Sequence, residues 1–100
     1  MTAIILVMLD RVKRVWDLTA QELLSRRDEL EIAEMHRIAG EYDVVIKLKT
    51  RNMETLEAIL SKITTMKGVS RTHTLICLAS YEHGYKIQSE ENREGIFFPL

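Results

Sequence analysis

Cysteine is nearly absent from this 100-residue chain, which contains only Cys77. A single cysteine excludes a disulfide within the chain, and its place in the apolar run from Thr74 to Ala79 is typical of a buried structural thiol. The sequence therefore favours a reducing compartment, and we expect a cytoplasmic protein.

A surplus of basic residues is also lacking. Lysine and arginine together number 14, aspartate and glutamate 15, and the formal net charge is −1. A free-standing nucleic-acid-binding protein usually carries an excess of positive charge or a basic stripe. We therefore expect no direct contact with nucleic acid.

A membrane-spanning segment is missing from the start of the chain. The apolar run from Ala3 to Leu9 is far shorter than the roughly 20 residues that a transmembrane helix needs. It also lacks the basic region and the small-residue cleavage site of a signal peptide. We expect no membrane association.

The signatures of catalytic and metal sites are lacking as well. Four scattered glycines form no phosphate-binding loop, there is no Gly-x-Ser-x-Gly turn, and His36, His73 and His83 do not have the spacing of metal ligands. We therefore predict no catalytic residues, no metal and no cofactor, and the chain is not expected to be an enzyme.

The hydrophobic pattern indicates one domain of alternating strands and helices. The predicted elements, in chain order, are a strand over Ala3 to Leu9, a helix between Asp10 and Leu30, a strand over Ile32 to Ala39, a turn at Gly40-Glu41, a strand over Tyr42 to Thr50, a helix after Asn52, and a strand from Val69 to about Tyr81.

Two features of the helices bear on their ends. The first helix has two possible starts, since Asp10 is a suitable cap for a long version and Thr19-x-x-Glu22 is a capping box for a short one; we favour the long version. The second helix has Asn52 as its cap, and Gly68 lies where a left-handed residue would end it.

This order predicts an α+β, ferredoxin-like βαββαβ fold: a four-stranded antiparallel sheet with both helices on one face. The other face is left bare. Because both faces of the strand from Ala3 to Leu9 are apolar, we expect a second copy to cover the bare face, giving a dimer through the sheets.

The C-terminal residues differ in composition from the rest. We assign residues 1–80 to the domain and residues 81–100 to an extension that is polar and charged before it ends in Phe97-Phe98-Pro99-Leu100. The extension is either a loose tail or a short edge strand near Tyr85 to Ile87 followed by an apolar arm that docks on a neighbouring subunit.

Two segments together carry a family resemblance. Gly40-Glu41-Tyr42-Asp43 and, further on, Lys67-Gly68-Val69-Ser70-Arg71-Thr72-His73-Thr74 resemble the signature of the effector-binding domain of the leucine-responsive/AsnC (Lrp/AsnC) transcription regulators, the domain for regulation of amino-acid metabolism. The resemblance covers Ile32 to Leu78 well. It implies that Gly40, Tyr42, Asp43, Thr72 and Thr74, and by extension Ser70 and Arg71, bind the effector.

The resemblance implies a sheet-to-sheet homodimer that assembles further into a ring of dimers, with an amino acid bound between dimers. Asp43 suits the ammonium of such a ligand, and the threonine hydroxyls suit its carboxylate. Gly40 would let the backbone approach the ligand, and Tyr42 would form an apolar wall. Residue 1 lies at the first strand, so we expect a stand-alone form without the helix-turn-helix, which reaches DNA only through a full-length Lrp/AsnC regulator.

Two alternatives belong to other functional classes. One is a dimeric α+β barrel enzyme of the small monooxygenase type, which needs a polar pocket between helices and sheet and would be favoured by His36 or His73 pointing into it. The other is an assembly module without a ligand, in which the turn residues serve only the interface.

Overall fold

The computed structural model describes residues 1–11, 13–82 and 86–89. Its elements are β1 (Thr2–Leu9), α1 (Lys13–Ser25), β2 (Ile32–Arg37), β3 (Val44–Lys49), α2 (Met53–Thr64), β4 (Val69–Ile76), β5 (Ala79–Glu82) and β6 (Lys86–Ser89). The first four strands form an antiparallel sheet in the order β2-β3-β1-β4. The predicted ferredoxin-like βαββαβ fold is confirmed.

One face of the sheet, which we call the helix face, forms the core. Alternate residues of a strand project to opposite sides, and Ile5, Val7 and Leu9 of β1 are at most 1% exposed. Both helices pack on this face. The buried core contains Ala3, Ile5, Val7 and Leu9 of β1, Val44, Ile46 and Leu48 of β3, Leu23 of α1, Leu56, Ile59 and Ile63 of α2, and Leu30 and Met66 from the connecting segments.

The opposite side of the sheet, which we call the outer face, is apolar at its centre. Directly paired residues of antiparallel strands project to the same side. Leu6 pairs with Val45 and with His73, and Ile4 pairs with Leu75, so these side chains share the outer face with Met8. Among the described elements, both helices lie on the other side.

The first helix has the longer of the two predicted forms. It is already helical at Lys13, so Thr19 lies within the helix and the capping box interpretation is wrong. Thr19 is 2% exposed, and its hydroxyl donates to the main-chain oxygen of Lys67 at 3.0 Å. Thr19 is on the buried stripe of α1, one turn before Leu23, which is why it bonds to the neighbouring loop.

The second helix begins as predicted but ends earlier. The Asn52 side chain accepts a hydrogen bond from the Thr55 N–H at 2.8 Å, which confirms the cap. The C-cap is Thr65, with right-handed backbone, so the prediction that Gly68 ends the helix is wrong. Gly68 has a φ of 96° and turns the chain into β4, where its carbonyl accepts from the Asp10 N–H at 2.8 Å.

Within the described residues, no helix has both the length and the apolar character for crossing a membrane.

The connection between β2 and β3 is longer than the predicted two-residue turn. Residues 38–43, which we call the hairpin loop, lie between Arg37 and Val44. The Ile38 N–H donates to the Asp43 carbonyl and the Asp43 N–H donates to the Val7 carbonyl, both at 2.9 Å. The bond to Val7 fixes Asp43 beside β1, and the loop closes around it.

The strand predicted from Val69 to about Tyr81 is divided in two. The Cys77 N–H donates to the Thr2 carbonyl at 2.9 Å, and Thr2 is the first residue of β1. The chain therefore leaves the sheet there, and β5 pairs instead with β6. An edge strand is predicted near Tyr85 to Ile87; Tyr85 lies outside the described residues, and Ile87 belongs to β6, in a separate two-stranded sheet. Cys77 is half-buried, and Phe97 and Phe98 lie outside the described residues.

Candidate ligand site

The C-terminal end of β1 is the point at which the two predicted ligand-binding segments meet. β1 lies between β3 and β4, and both neighbours run antiparallel to it. The starts of β3 and β4 are therefore brought to the end of β1, around Val7 to Leu9. The hairpin loop precedes β3, so it reaches the same end of the sheet as Ser70 and Arg71.

Asp43 is held in place by three hydrogen bonds. Besides the two main-chain bonds to Val7 and Ile38, its carboxylate Oδ2 accepts from the Leu9 N–H at 2.8 Å. The sequence predicts that this carboxylate binds the ligand ammonium. In the structure it also accepts a hydrogen bond from within the chain. An ionised carboxylate has about four acceptor positions, so the bond from Leu9 leaves positions at which the carboxylate can accept hydrogen bonds from a ligand.

Tyr42 lies on the outer face and not on the helix face. Its ring centroid is 6.4 Å from that of His73, with the two planes tilted by 40°, and His73 pairs with Leu6 of β1. Tyr42 is half-buried. Sequence reasoning missed His73 as its neighbour, although the alternation along β4 places His73 and Arg71 on one side.

The predicted β4 residues divide between the two faces. Thr72 pairs with Val7 and Thr74 with Ile5, so both threonines are on the helix face. Arg71 pairs with Met8 on the outer face. Ser70 lies at a register shift in the pairing of β1 with β4, and its hydroxyl donates to the Met8 carbonyl at 3.1 Å. The structure therefore brings the predicted residues to one end of the sheet but not into one group.

A cavity of about 180 Å³ lies between the C-terminal end of α2 and the start of β4. Thr64, Ser70, Arg71 and Thr72 are among its lining residues. Three of these were predicted from the sequence, and Thr64 was missed because it belongs to a helix and to neither of the two signature segments. Gly40, Tyr42, Asp43 and Thr74 are not among the lining residues.

Gly40 has the backbone that requires glycine. Its φ is +145°, and, apart from Gly40 itself and its two chain neighbours, no heavy atom of the described residues lies within 4 Å of the point where a Cβ would be. A side chain would have room at this position, so the positive φ, and not a lack of space, is what favours glycine here.

A second cavity, of about 250 Å³, lies between α1 and the segment that enters β4. Leu18, Thr19, Glu22 and Lys67 line it. The sequence gave no indication of this cavity, because one wall comes from α1 and the other from Lys67, which is distant from α1 in the sequence.

The edge of the outer face carries an ion cluster. Lys47 Nζ lies 3.3 Å from Glu34 Oε2, and His36 Nε2 lies 3.4 Å from Glu34 Oε1. The hydrogen bond from Lys47, followed by that from His36, lowers the pKa of Glu34 below its ordinary value.

The two described histidines bear on the enzymatic alternative. His36 pairs with Val45 and His73 with Leu6, so both lie on the outer face and are exposed. Neither points into the space between helices and sheet, the placement that would favour an α+β barrel enzyme. In the described parts of the chain, no three histidine, cysteine, aspartate or glutamate side chains could hold a metal ion together.

Comparison with known proteins identifies similar regulators. The transcriptional regulator FL11 of Pyrococcus abyssi is 40% identical over 52 residues, which are 52% of this chain and 34% of that regulator. FL11 of Pyrococcus furiosus is 42% identical over 48 residues, 48% of this chain and 32% of the regulator. This chain therefore spans about a third of the length of these relatives.

Solved structures are similar over more of the chain. TTHA0845 from Thermus thermophilus has a TM-score of 0.63 and 31% identity, over 82% of this chain and 98% of that one. The regulator NMB0573 of Neisseria meningitidis, crystallised in complex with L-Met, has a TM-score of 0.69 and 20% identity, over 82% of this chain and 52% of that one. The second likeness supports the fold alone.

The family model for the Lrp/AsnC ligand binding domain matches residues 2–87. This match covers most of the chain and includes the hairpin loop, the start of β4 and the cavity beside it. The resemblance predicted from the sequence is thereby confirmed, and the chain belongs to the Lrp/AsnC family.

Proposed function

We propose that this domain senses amino acids in the cytoplasm: it binds a small amino-acid effector at the start of β4, forms homodimers that assemble into rings, and modulates full-length Lrp/AsnC regulators by assembling with them. The matching domain is a ligand-binding one and the matching relatives are transcriptional regulators. A regulatory, ligand-sensing role follows from that membership; the amino acid, the assembly and the partner are the proposal.

The cavity beside α2 is the observation that supports the binding of an amino acid. The Arg71 guanidinium and the Thr72 hydroxyl suit a carboxylate, because both donate to it. The Ser70 hydroxyl donates to the Met8 carbonyl and offers the ligand only an acceptor oxygen. The carbonyl end of α2, at Thr64, carries the negative end of the helix dipole and favours an ammonium. An α-amino acid presents both groups on one carbon. A fold neighbour crystallised with L-Met is consistent with this chemistry.

The hairpin loop completes the site from a second copy. Gly40, Tyr42 and Asp43 are not among the residues that line the cavity of their own chain, yet the loop and the cavity lie at the same end of the sheet. In the ring assembly, the loop of a neighbouring copy closes the cavity and brings the Asp43 carboxylate to the ligand ammonium. The site is then complete only between subunits.

Isothermal titration against the proteinogenic amino acids tests the ligand. Thr72→Val removes one cavity hydroxyl without changing the shape of the side chain, and Thr55→Val makes the same change on α2 away from the cavity. We expect Thr72→Val to weaken binding by about ten-fold and Thr55→Val to leave it unchanged. If no amino acid binds at millimolar concentration, the sensing proposal is wrong and a ligand-free assembly module remains.

The outer face is the proposed dimer interface. Ile4, Leu6, Met8, Val45 and Leu75 form an apolar patch there, on the side of the sheet opposite both helices. Monomeric proteins rarely expose a continuous patch of this kind, and a two-fold axis would place two identical patches together. We expect dimers by light scattering, and Leu6→Lys to produce monomers. Leu18→Lys, on the exposed side of α1, is the matched control that should remain dimeric.

A further inference from the structure

One row of paired residues crosses the outer face from edge to edge. His36 of β2 pairs with Val45 of β3, Val45 pairs with Leu6 of β1, and Leu6 pairs with His73 of β4. Directly paired residues project to the same side of a sheet. This set of four residues, which we call the central row, therefore has two apolar side chains in the middle and a histidine at each end.

The central row lies within the apolar patch of the outer face. Ile4 and Leu75 flank it on one side, and Met8 flanks it on the other. The Cβ atoms of directly paired residues are only about 5 Å apart. A second copy that covers Leu6, as the proposed dimer requires, therefore also covers His73 beside it.

The groups around His73 offer no negative charge to balance a proton. Arg71 lies two residues earlier on the same strand and thus on the same face, and the Tyr42 ring centroid is 6.4 Å away. In the hairpin loop, Glu41 is exposed and the Asp43 carboxylate accepts from a main-chain N–H of β1. Among the described residues, no carboxylate forms an ion pair with His73. A protonated His73 would therefore lie on the same face as a cation and without an anion.

The surroundings of His36, at the other end of the row, are different. Its Nε2 lies 3.4 Å from Glu34 Oε1, and its side chain is 61% exposed. Lys47 also contacts Glu34, through the other carboxylate oxygen. A proton on His36 would be balanced by this carboxylate, so His36 is a natural comparison for His73 within the same row.

Histidine is the side chain that takes up a proton between about pH 8 and pH 5. Carboxylate, lysine and arginine side chains ordinarily keep their charge over this range. Burial in an interface disfavours the charged form of the imidazole ring. A dimer that buries His73 therefore keeps the ring neutral, and the proton binds once the two copies separate.

We propose that His73 makes the outer-face dimer sensitive to pH, so that the dimer forms at neutral pH and dissociates as the pH falls and the imidazole ring is protonated. The inference rests on the proposed dimer. A two-fold axis places the His73 of both copies in the interface. The state that binds more protons gains stability as the pH falls, and here that state is the monomer.

Sedimentation equilibrium on the full chain, at about pH 7.5 and about pH 5.5, tests the proposal. We expect the dimer dissociation constant of the wild type to rise by about ten-fold or more at the lower pH. His73→Gln cannot take up the proton, so its dissociation constant should change by less than about three-fold. His36→Gln is the matched control and should keep the pH dependence of the wild type. Circular dichroism at both pH values verifies that each variant is folded.

Dilution calorimetry gives a second readout, the number of protons taken up when the dimer dissociates. The heat is measured in two buffers that differ in their own heat of ionisation. At about pH 6.5, where half of ordinary imidazole groups carry a proton, we expect about one proton per dimer. His73→Gln should take up close to none.

The outcomes separate the pH dependence from the dimer itself. If the wild type dimerises equally well at both pH values, the outer-face dimer stands and the role of His73 is wrong. The same conclusion follows if His73→Gln keeps the full pH dependence. If the wild type is a monomer at every concentration and at both pH values, both proposals fail. Loss of the pH dependence in His73→Gln, with His36→Gln unaffected, supports the proposal.

Discussion

Asp43 Oδ2 accepts a hydrogen bond of 2.8 Å from the main-chain N–H of Leu9, which joins the hairpin loop to the end of the central strand. Leu9 is 1% exposed, so water is a poor substitute for this acceptor. We expect Asp43→Ala to lower the free energy of unfolding by about 1–3 kcal/mol, the usual cost of leaving a buried donor without a partner. Urea denaturation monitored by circular dichroism measures this loss.

Asp43→Asn separates the structural role of this residue from its proposed role with the ligand. The amide oxygen still accepts from Leu9, but the negative charge is gone. We expect the free energy of unfolding to stay within about 1 kcal/mol of the wild type, while binding of the ligand ammonium weakens. If Asp43→Asn is as unstable as Asp43→Ala, the hydrogen bond to Leu9 is not what the carboxylate contributes.

Glu31 combines a left-handed backbone, with a φ of 54°, and a buried carboxylate oxygen, Oε2, without a hydrogen-bond partner. Left-handed backbone costs an L-residue about 1–2 kcal/mol, and glycine adopts it freely. Glu31→Gly and Glu31→Ala both remove the carboxylate. We therefore expect the glycine variant to exceed the alanine variant by about 1 kcal/mol in free energy of unfolding. Equal stabilities would show that the backbone at this position carries no strain.

Asn52 begins α2 by accepting the Thr55 N–H at 2.8 Å. Loss of such a cap typically costs about 1 kcal/mol. We expect this loss in the urea denaturation of Asn52→Ala. Asn52→Asp keeps the acceptor and adds a charge that the start of a helix favours, so it should match or exceed the wild type. A loss of the same size in both variants would contradict the capping role.

Elements defined by local pattern could be predicted from the sequence. The alternation in β3 and the apolar stripe of α2 each repeat with the period of their own structure, and Asn52 acts within its own turn. The ends of strands depend on distant residues instead. β4 stops where β1 begins, at Thr2, and the hairpin loop is set by the bond from Asp43 to Val7. No local pattern contains that information.

Which residues belong to the site could be predicted from the sequence, but how they are arranged could not. The residue types of the hairpin loop and the start of β4 indicate a common site, and the structure places both at the end of β1. Which face each side chain takes depends on the register of β4 against β1, including the shift between Met8 and Leu9. That register places Thr72 on the helix face and sets His73 beside Tyr42.

Glu29 connects the end of α1 to α2 through two cations. Its carboxylate lies 2.9 Å from Arg26 Nε and 3.3 Å from Lys62 Nζ. The hydrogen bond from Arg26, followed by that from Lys62, lowers the pKa of Glu29 from 4.5 to about 2. A carboxyl group whose pKa is lower in the folded state contributes stability above its unfolded-state pKa and loses that contribution as the pH falls toward the folded value.

The free energy of unfolding should therefore fall as the pH drops from 4.5 toward 2, and Glu29→Gln should reduce this slope. Because the Glu29 side chain is 47% exposed, salt screens the interaction, and the difference between variant and wild type should shrink in concentrated sodium chloride. Urea midpoints across this pH window, at low and high salt, provide the measurement. Glu57→Gln, at an exposed position of α2, is the control that keeps the wild-type slope. If Glu29→Gln also keeps that slope, the two cations do not stabilise the ionised carboxylate, and the junction between α1 and α2 rests on the apolar contacts of Leu23 and Leu30 in the core.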